Sequence, residues 1–166
     1  MKSRCLVRQV LDKDLTEVVE IFNHYVRESF AACPSEEVDI GFFRALLQER
    51  ESAPLFVLQH EGGSLYGFGM LRPYLPLPTF EHTAQISYFI RPEHTREGLG
   101  TRLLTCLIDH ARTKGIRTIL ANISSRNESS LQFHLKNGFS ECGRLKGVGE
   151  KFGERFDVVW MQKEVG

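Results

Sequence analysis

Gln85-Ile86-Ser87-Tyr88-Phe89-Ile90, the loop Arg91 to Glu97, Gly98-Leu99-Gly100 and the run onward to Ala111 decide the fold. Gln85 to Ile90 reads as a buried strand and Arg91 to Glu97 as a short polar loop. Beyond the glycines, Leu103, Leu104, Leu107, Ile108 and Ala111 recur at three-to-four-residue spacing, which places them on one face of a helix. Strand, glycine turn and helix start therefore follow one another directly. The first turn of a helix leaves N–H groups without intrahelical partners, and the macrodipole adds partial positive charge there, so such a start attracts phosphate. Glycines at 98 and 100 let an anion come close to the main chain.

Neither phosphate motif of the nucleotide-binding folds fits. No Gly-Lys-Ser/Thr follows the turn, and no third glycine completes a dinucleotide fingerprint. Thr95-Arg96-Glu97-Gly98-Leu99-Gly100 instead resembles the acetyl-CoA loop of the GCN5-related N-acetyltransferases, Arg/Gln-x-x-Gly-x-Gly/Ala. Asn127 to Phe139 resembles the same family's Asn-x-x-Ser-x-x-Phe-Tyr-x-x-x-Gly-Phe. The end, Val148 to Gln162, is similar to the branch containing phosphinothricin and methionine sulfoximine acetyltransferases. The resemblance covers nearly the whole chain. It implies an α/β fold with a mixed, mostly antiparallel sheet flanked by helices and splayed where acetyl-CoA enters. It also implies direct acetyl transfer to the primary amine of a small molecule, with no covalent acetyl-enzyme, and a homodimer formed through the last strands.

The resemblance assigns roles residue by residue. Main-chain groups of Tyr88, Phe89 and Ile90 would hold the pantetheine, one of them facing the thioester oxygen. The loop Arg96, Glu97, Gly98, Leu99, Gly100 and Thr101 would offer N–H groups to the pyrophosphate. Thr95 stands where the pattern has Arg or Gln, with Arg96 next to it as a substitute. Asn127 would bond the pantetheine arm, or serve as a helix cap. His134 stands at the tyrosine that donates a proton to the leaving thiolate; an imidazole gives or takes a proton near pH 7, although a lone helix histidine is also an ordinary structural group. Phe30, Leu75, Leu77, Gln85 and Ser87 would surround the acceptor, with Phe30 equally readable as a hydrophobic plug.

The departures bear on catalysis and substrate. Gln85 replaces the glutamate that the branch uses on the amine, and an amide takes no proton at neutral pH. Either the amine arrives neutral, or Glu81 or His82 serves, or the chain is an acetyl-CoA-binding sensor without catalysis. Leu75 and Leu77 occupy places where the branch has basic residues, and apolar side chains clamp no carboxylate or phosphinate; Arg155 stands where it has tryptophan. Arg72, at a strand end, is read as solvated. A less acidic or more apolar amine is expected. A protein N-terminal or lysine acetyltransferase stays open as a third reading, although the proline-rich loop and Phe30 favour a closed pocket.

Bulk properties agree with one domain over residues 1–166. Lysine plus arginine equals aspartate plus glutamate at 21 each, and no basic run offers a local patch, so neither nucleic acid nor a membrane surface is an expected partner. Cys5, Cys33, Cys106 and Cys142 follow no paired spacing and are expected to be reduced core thiols. His24, His60, His94 and His110 show no ligand spacing, so no metal is expected. Without a signal peptide or spanning segment, the expected location is the cytoplasm.

In chain order, the pattern predicts a strand over 5–9 and a helix over 12–28 capped by Asp12 or Asp14, with Leu15, Val18, Val19, Phe22 and Val26 buried. An irregular loop follows over 29–37, then a helix over 39–50 burying Phe42, Phe43, Leu46 and Leu47. A glycine-turn hairpin spans 55–60 and 65–72, where Gly67 and Gly69 mark a bulge or a close approach. The loop Pro73 to Pro78 is stiff, non-regular and placed at the acceptor entrance. A strand over 117–123, a helix from Asn127 to the Asn137-Gly138 stop, and a hairpin over 139–148 and 155–163 with Phe156, Val158 and Trp160 on one face complete the chain.

Overall fold

The computed structural model describes residues 5–48 and 53–166. Its strands are β1 (Cys5–Gln9), β2 (Leu55–His60), β3 (Leu65–Pro73), β4 (Thr83–Ile90), β5 (Thr118–Ser124), β6 (Ser140–Lys151) and β7 (Glu154–Glu164). Its helices are α1 (Leu15–Glu28), α2 (Ile40–Leu47), α3 (Leu99–Thr113) and α4 (Glu128–Lys136). The strands form one sheet in the order β1-β2-β3-β4-β5-β7-β6. Every neighbouring pair is antiparallel except β4 and β5. Those two are joined by the α3 crossover, the connection that a parallel pair requires.

The β4–β5 seam is short. It pairs Thr83 with Thr118, Ala84 with Ile119 and Gln85 with Leu120, and goes no further. Beyond it β4 stays with β3 to Ile90, whereas β5 stays with β7 to Ser124. The two halves of the sheet therefore diverge from Gln85 onward.

Two cores fill the two faces. Leu103, Leu104, Leu107, Ile108 and Ala111 of α3 are buried against Leu71, Ala84, Ile86, Ile119 and Met161. On the other face, Leu15, Val18, Ile21, Phe22 and Val26 of α1 meet Phe43, Val57, Phe68 and Met70. Gly69 permits the close approach of α3, since a Cβ there would stand 2.7 Å from Leu107 Cδ1. A register shift at Leu58/Gln59 lies in the same hairpin, so the bulge is present as well.

Several expectations are corrected. The segment over 12–14 is a separate 3-10 turn, and α1 begins at Leu15. Asp14 does not cap α1 with its side chain; its carboxylate instead takes two hydrogen bonds from Arg8, at 2.7 and 2.9 Å, and one from the Leu11 N–H. Asp39 caps α2 by accepting from the Phe42 N–H, and the expected extension of that helix to Arg50 falls outside the described residues. Phe42 is exposed, because α2 packs on α1 through Phe43 and leaves Phe42 at the rim of a cavity. Of the four cysteine thiols, only Cys5 is fully buried, and Cys33 and Cys142 are exposed.

Candidate active site

The divergence of β4 from β5 exposes main chain. The Arg91 N–H bonds Tyr66 O, and the Tyr74 N–H bonds Thr83 O. Alternation along an antiparallel strand then turns the main-chain groups of Thr83, Gln85, Ser87 and Phe89 toward β3, and those of Ile86, Tyr88 and Ile90 toward the open side. Of the three residues expected to offer their main chain, Tyr88 and Ile90 face the gap and Phe89 does not. The Ile90 carbonyl already accepts a hydrogen bond from the Tyr25 hydroxyl of α1.

Next to the gap, Gly98 has a φ of +80° and Arg96 a φ of +67°. A Cβ built on Gly98 would meet nothing within 4 Å, so the space above it is open. Arg102 is the first residue of α3 to bond backward, to Gly98 O at 3.2 Å, and the N–H groups of Leu99, Gly100 and Thr101 precede it. The Thr95 hydroxyl bonds Pro92 O at 2.9 Å, whereas Arg96 is exposed. Arg96, Gly98, Gly100, Thr101, Asn127, Tyr88 and Ile90 share one groove of about 880 Å³. Asn127 also caps α4, accepting from the Ser130 N–H at 3.3 Å, while it lines the groove.

A second cavity of about 330 Å³ adjoins the groove, and Tyr88, Phe89, Asn127 and Ser130 line both. Its wall carries a group of aromatic rings, with Phe22, Phe30, Phe42, Phe43 and Phe156. Phe30 lies edge-on to Phe152 and Phe156, at 5.4 and 5.7 Å between centroids. Lys151 holds the loop carrying Phe30, donating to Ser29 O at 2.7 Å and Ala32 O at 2.8 Å. Ser87 and Arg72 line this cavity, and Arg72 makes no ion pair among the described residues.

Other residues lie elsewhere. Gln85 is opposite Arg72 across β3–β4 but does not line the cavity. Leu75 and Leu77 line a separate cavity of about 400 Å³ beside His110 and Lys114, near the C-terminus of α3. The proline-rich loop thus flanks the closed end of the sheet. Glu81 and His82 lie at the same end, where His82 Nδ1 is 2.9 Å from Gly115 O.

His134 is buried, only 3% exposed, and both of its ring nitrogens are engaged. Nδ1 is 2.6 Å from Ser130 O, an acceptor, so Nδ1 carries the proton. Nε2 therefore accepts, and its partner is the Tyr88 hydroxyl. Burial pushes the His134 pKa below its ordinary value and raises that of Tyr88 well above its own. The pair is neutral at pH 7. Sequence reasoning gave Tyr88 only a main-chain role, because nothing local links positions 88 and 134; it likewise missed Lys151 and Tyr25. For Tyr88, strand alternation at the glycine turn was the one available signal.

No helix among the described residues is long and apolar enough to cross a membrane, and none of their His, Cys, Asp or Glu side chains cluster in threes as metal ligands would. Residues 16–139 match the acetyltransferase (GNAT) family. The L-amino acid N-acyltransferase MnaT of Escherichia coli K12 is 32% identical over 96% of this chain and 93% of its own length. The phosphinothricin N-acetyltransferase of Alcaligenes faecalis is 34% identical over 96% of this chain and 82% of its own. The solved structure of yncA from Salmonella typhimurium with its cofactor acetyl-CoA superposes with a TM-score of 0.89 at 30% identity, covering 98% of this chain and 94% of that one.

Proposed function

We propose that this chain, which belongs to the acetyltransferase (GNAT) family, moves an acetyl group from acetyl-CoA directly onto the primary amine of a small acceptor with an apolar or aromatic body and a carboxylate. The observation that carries this reading is the meeting of two spaces at Tyr88: a groove running from the glycine turn of α3, and an aromatic cavity lined, among the described residues, by Arg72 as its one cation and by no carboxylate. The groove fits acetyl-CoA, because the open space above Gly98 and the first-turn N–H groups of α3 suit a pyrophosphate. The outward main-chain groups of Tyr88 and Ile90, with Asn127, suit the amide-bearing pantetheine arm. Acetyl-CoA supplies an activated acyl carbon as its thioester.

The residues of the chain then orient and exclude water. Main-chain donors on the open edge of β4 polarise the thioester carbonyl, and such preorganised donors account for much of the catalysis in acyl transfer. The aromatic wall holds the acceptor body, and Arg72 pairs its carboxylate. With Gln85 in place of glutamate and no carboxylate among the described residues that line the cavity, the acceptor binds as the neutral amine. His134 takes part in the proton exchange at the leaving sulfur through its hydrogen bond to the Tyr88 hydroxyl. Leu145, Val148 and Phe152 are exposed on or beside the edge strand β6, which supports a homodimer through β6 and β7, and the exposed thiols of Cys33 and Cys142 suit a reducing cytoplasm.

The test is acetyl-CoA-dependent thiol release with apolar and aromatic L-amino acids, their amides, phosphinothricin, methionine sulfoximine, polyamines and a short peptide. The expected result is the highest kcat/KM for an apolar or aromatic amino acid. Turnover confined to polyamines or peptide overturns the substrate class, and acetyl-CoA binding without turnover overturns the transfer.

A further inference from the structure

Tyr88 and His134 belong to different walls of the site, yet they meet. Tyr88 leaves β4 at the point where the sheet has opened, and lines both the groove and the aromatic cavity. Its hydroxyl donates its only proton to His134 Nε2, so the lone pairs of Oη remain available to accept. The His134 ring is held in that tautomer by Ser130 O and is packed between aromatic rings, with Tyr88 at 5.5 Å, Phe133 at 5.5 Å and Phe139 at 4.9 Å. The Ser130 hydroxyl is 3.3 Å from Nδ1. Among the described residues no charged side chain touches the imidazole; Lys163 of β7 stands over Phe139 with its ammonium 5.9 Å from that ring.

The geometry points to Tyr88 as the catalytic residue that exchanges protons with the reacting atoms, with His134 acting behind it as a proton store. This deepens the proposed transfer and rests on it. The amine nitrogen bonds to the acetyl carbon as the carbon–sulfur bond breaks, the electron pair leaving with sulfur. Tyr88 Oη takes the proton released by the amine while its own proton passes to His134 Nε2. The return transfer, from Nε2 to Oη and from Oη to sulfur, gives the thiol and restores both side chains. One hydrogen-bonded pair thereby supplies both the base that takes the proton released by the amine and the acid that the sulfur needs.

Tyr88→Phe removes only the hydroxyl. At saturating acetyl-CoA it is expected to lower kcat about a hundredfold, the scale of general acid–base catalysis, with the dissociation constant of acetyl-CoA changed less than about threefold. His134→Gln is expected to do the same and to abolish the acid limb of the kcat profile, which in the wild type lies below the ordinary histidine value of about 6.5 because burial disfavours the imidazolium. Because the two act as a unit, the double variant should be no slower than the slower single. A readout without turnover is the ¹⁵N spectrum of His134 in the ligand-free protein: protonated Nδ1 and hydrogen-bonded Nε2 in the wild type, with the Nε2 resonance moving in Tyr88→Phe. A proton on Nε2, a Tyr88→Phe kcat within threefold of wild type, or a double variant that multiplies the two losses overturns the relay alone. A wild type that releases no thiol with any amine overturns the transfer and the relay together. Should His134→Gln fail to fold, the kcat and spectrum of Tyr88→Phe decide.

Discussion

Lys151, at the end of β6, donates through Nζ to the carbonyl of Ala32 at 2.8 Å, and its next hydrogen bond, to Ser29 O, closes the other end of the same loop segment. The last hairpin thus holds the segment that carries Phe30. Burial pulls the ammonium's pKa down, yet the two carbonyls keep it satisfied. Lys151→Met leaves both carbonyls without that donor, at a cost of about 1–3 kcal/mol. The acceptor KM should rise several-fold as Phe30 loses its placement, while acetyl-CoA binding measured by calorimetry stays within twofold.

Gly98 adopts a φ of +80° where an added Cβ would touch no protein atom. Gly98→Ala therefore costs the fold only the backbone penalty, about 1–2 kcal/mol. The added methyl does intrude on the space over the helix start. Acetyl-CoA affinity should fall at least tenfold with a Tm loss of only a few degrees; an unchanged affinity would place the pyrophosphate elsewhere.

Arg72 lines the aromatic cavity without an ion pair among the described residues. Arg72→Met should reduce kcat/KM for an amino-acid acceptor by roughly thirtyfold, about 2 kcal/mol for a charge-assisted contact, and leave the corresponding amino-acid amide nearly unaffected. Equal losses on acid and amide would mean that Arg72 supports the wall and does not read the carboxylate.

His134 is held neutral by burial, so its pKa is lower in the folded protein than in the unfolded chain. The unfolded chain therefore binds more protons once the pH drops below about 6.5, and stability is lost from there downward toward the folded value. Asp14, held by Arg8, has its pKa depressed as well. Its contribution is present above the ordinary carboxylate range of about 3.9 and disappears as the pH falls through the lower folded value. Denaturant titrations should show two separate acid losses, the upper one flattened in His134→Gln and the lower one in Asp14→Asn.

Local rules account for what was legible in the sequence. The stripe of α3, the glycine turn before it and the caps at Asp39 and Asn127 each depend on residues within a few positions of one another, so spacing alone reveals them. What was not legible depends on distant partners. Asp14 reads as a helix cap until Arg8, on β1, claims its carboxylate. Phe42 and Phe43 are indistinguishable by hydropathy, and only the placement of α1 decides which of them is buried. Leu75 and Leu77 read as acceptor contacts because their loop precedes β4, but the strand enters from the closed end of the sheet, so that loop lines a separate cavity there. The Tyr88–His134 pair spans the crossover and α4, a separation across which no periodicity carries information.

The three residue pairs that join β4 to β5 are the place about which the half-sheets would rotate. From Gln85 to Ile90 the open arm of β4 runs five residues, about 17 Å at the usual rise of a strand. A rotation of roughly 5° between the half-sheets at the seam would move the mouth of the gap by about 1.5 Å on that lever. Ala84 and Ile119 sit at the fulcrum, buried, and neither lines the groove or the aromatic cavity. Enlarging either side chain is therefore expected to change the angle between the halves and with it the width of the gap.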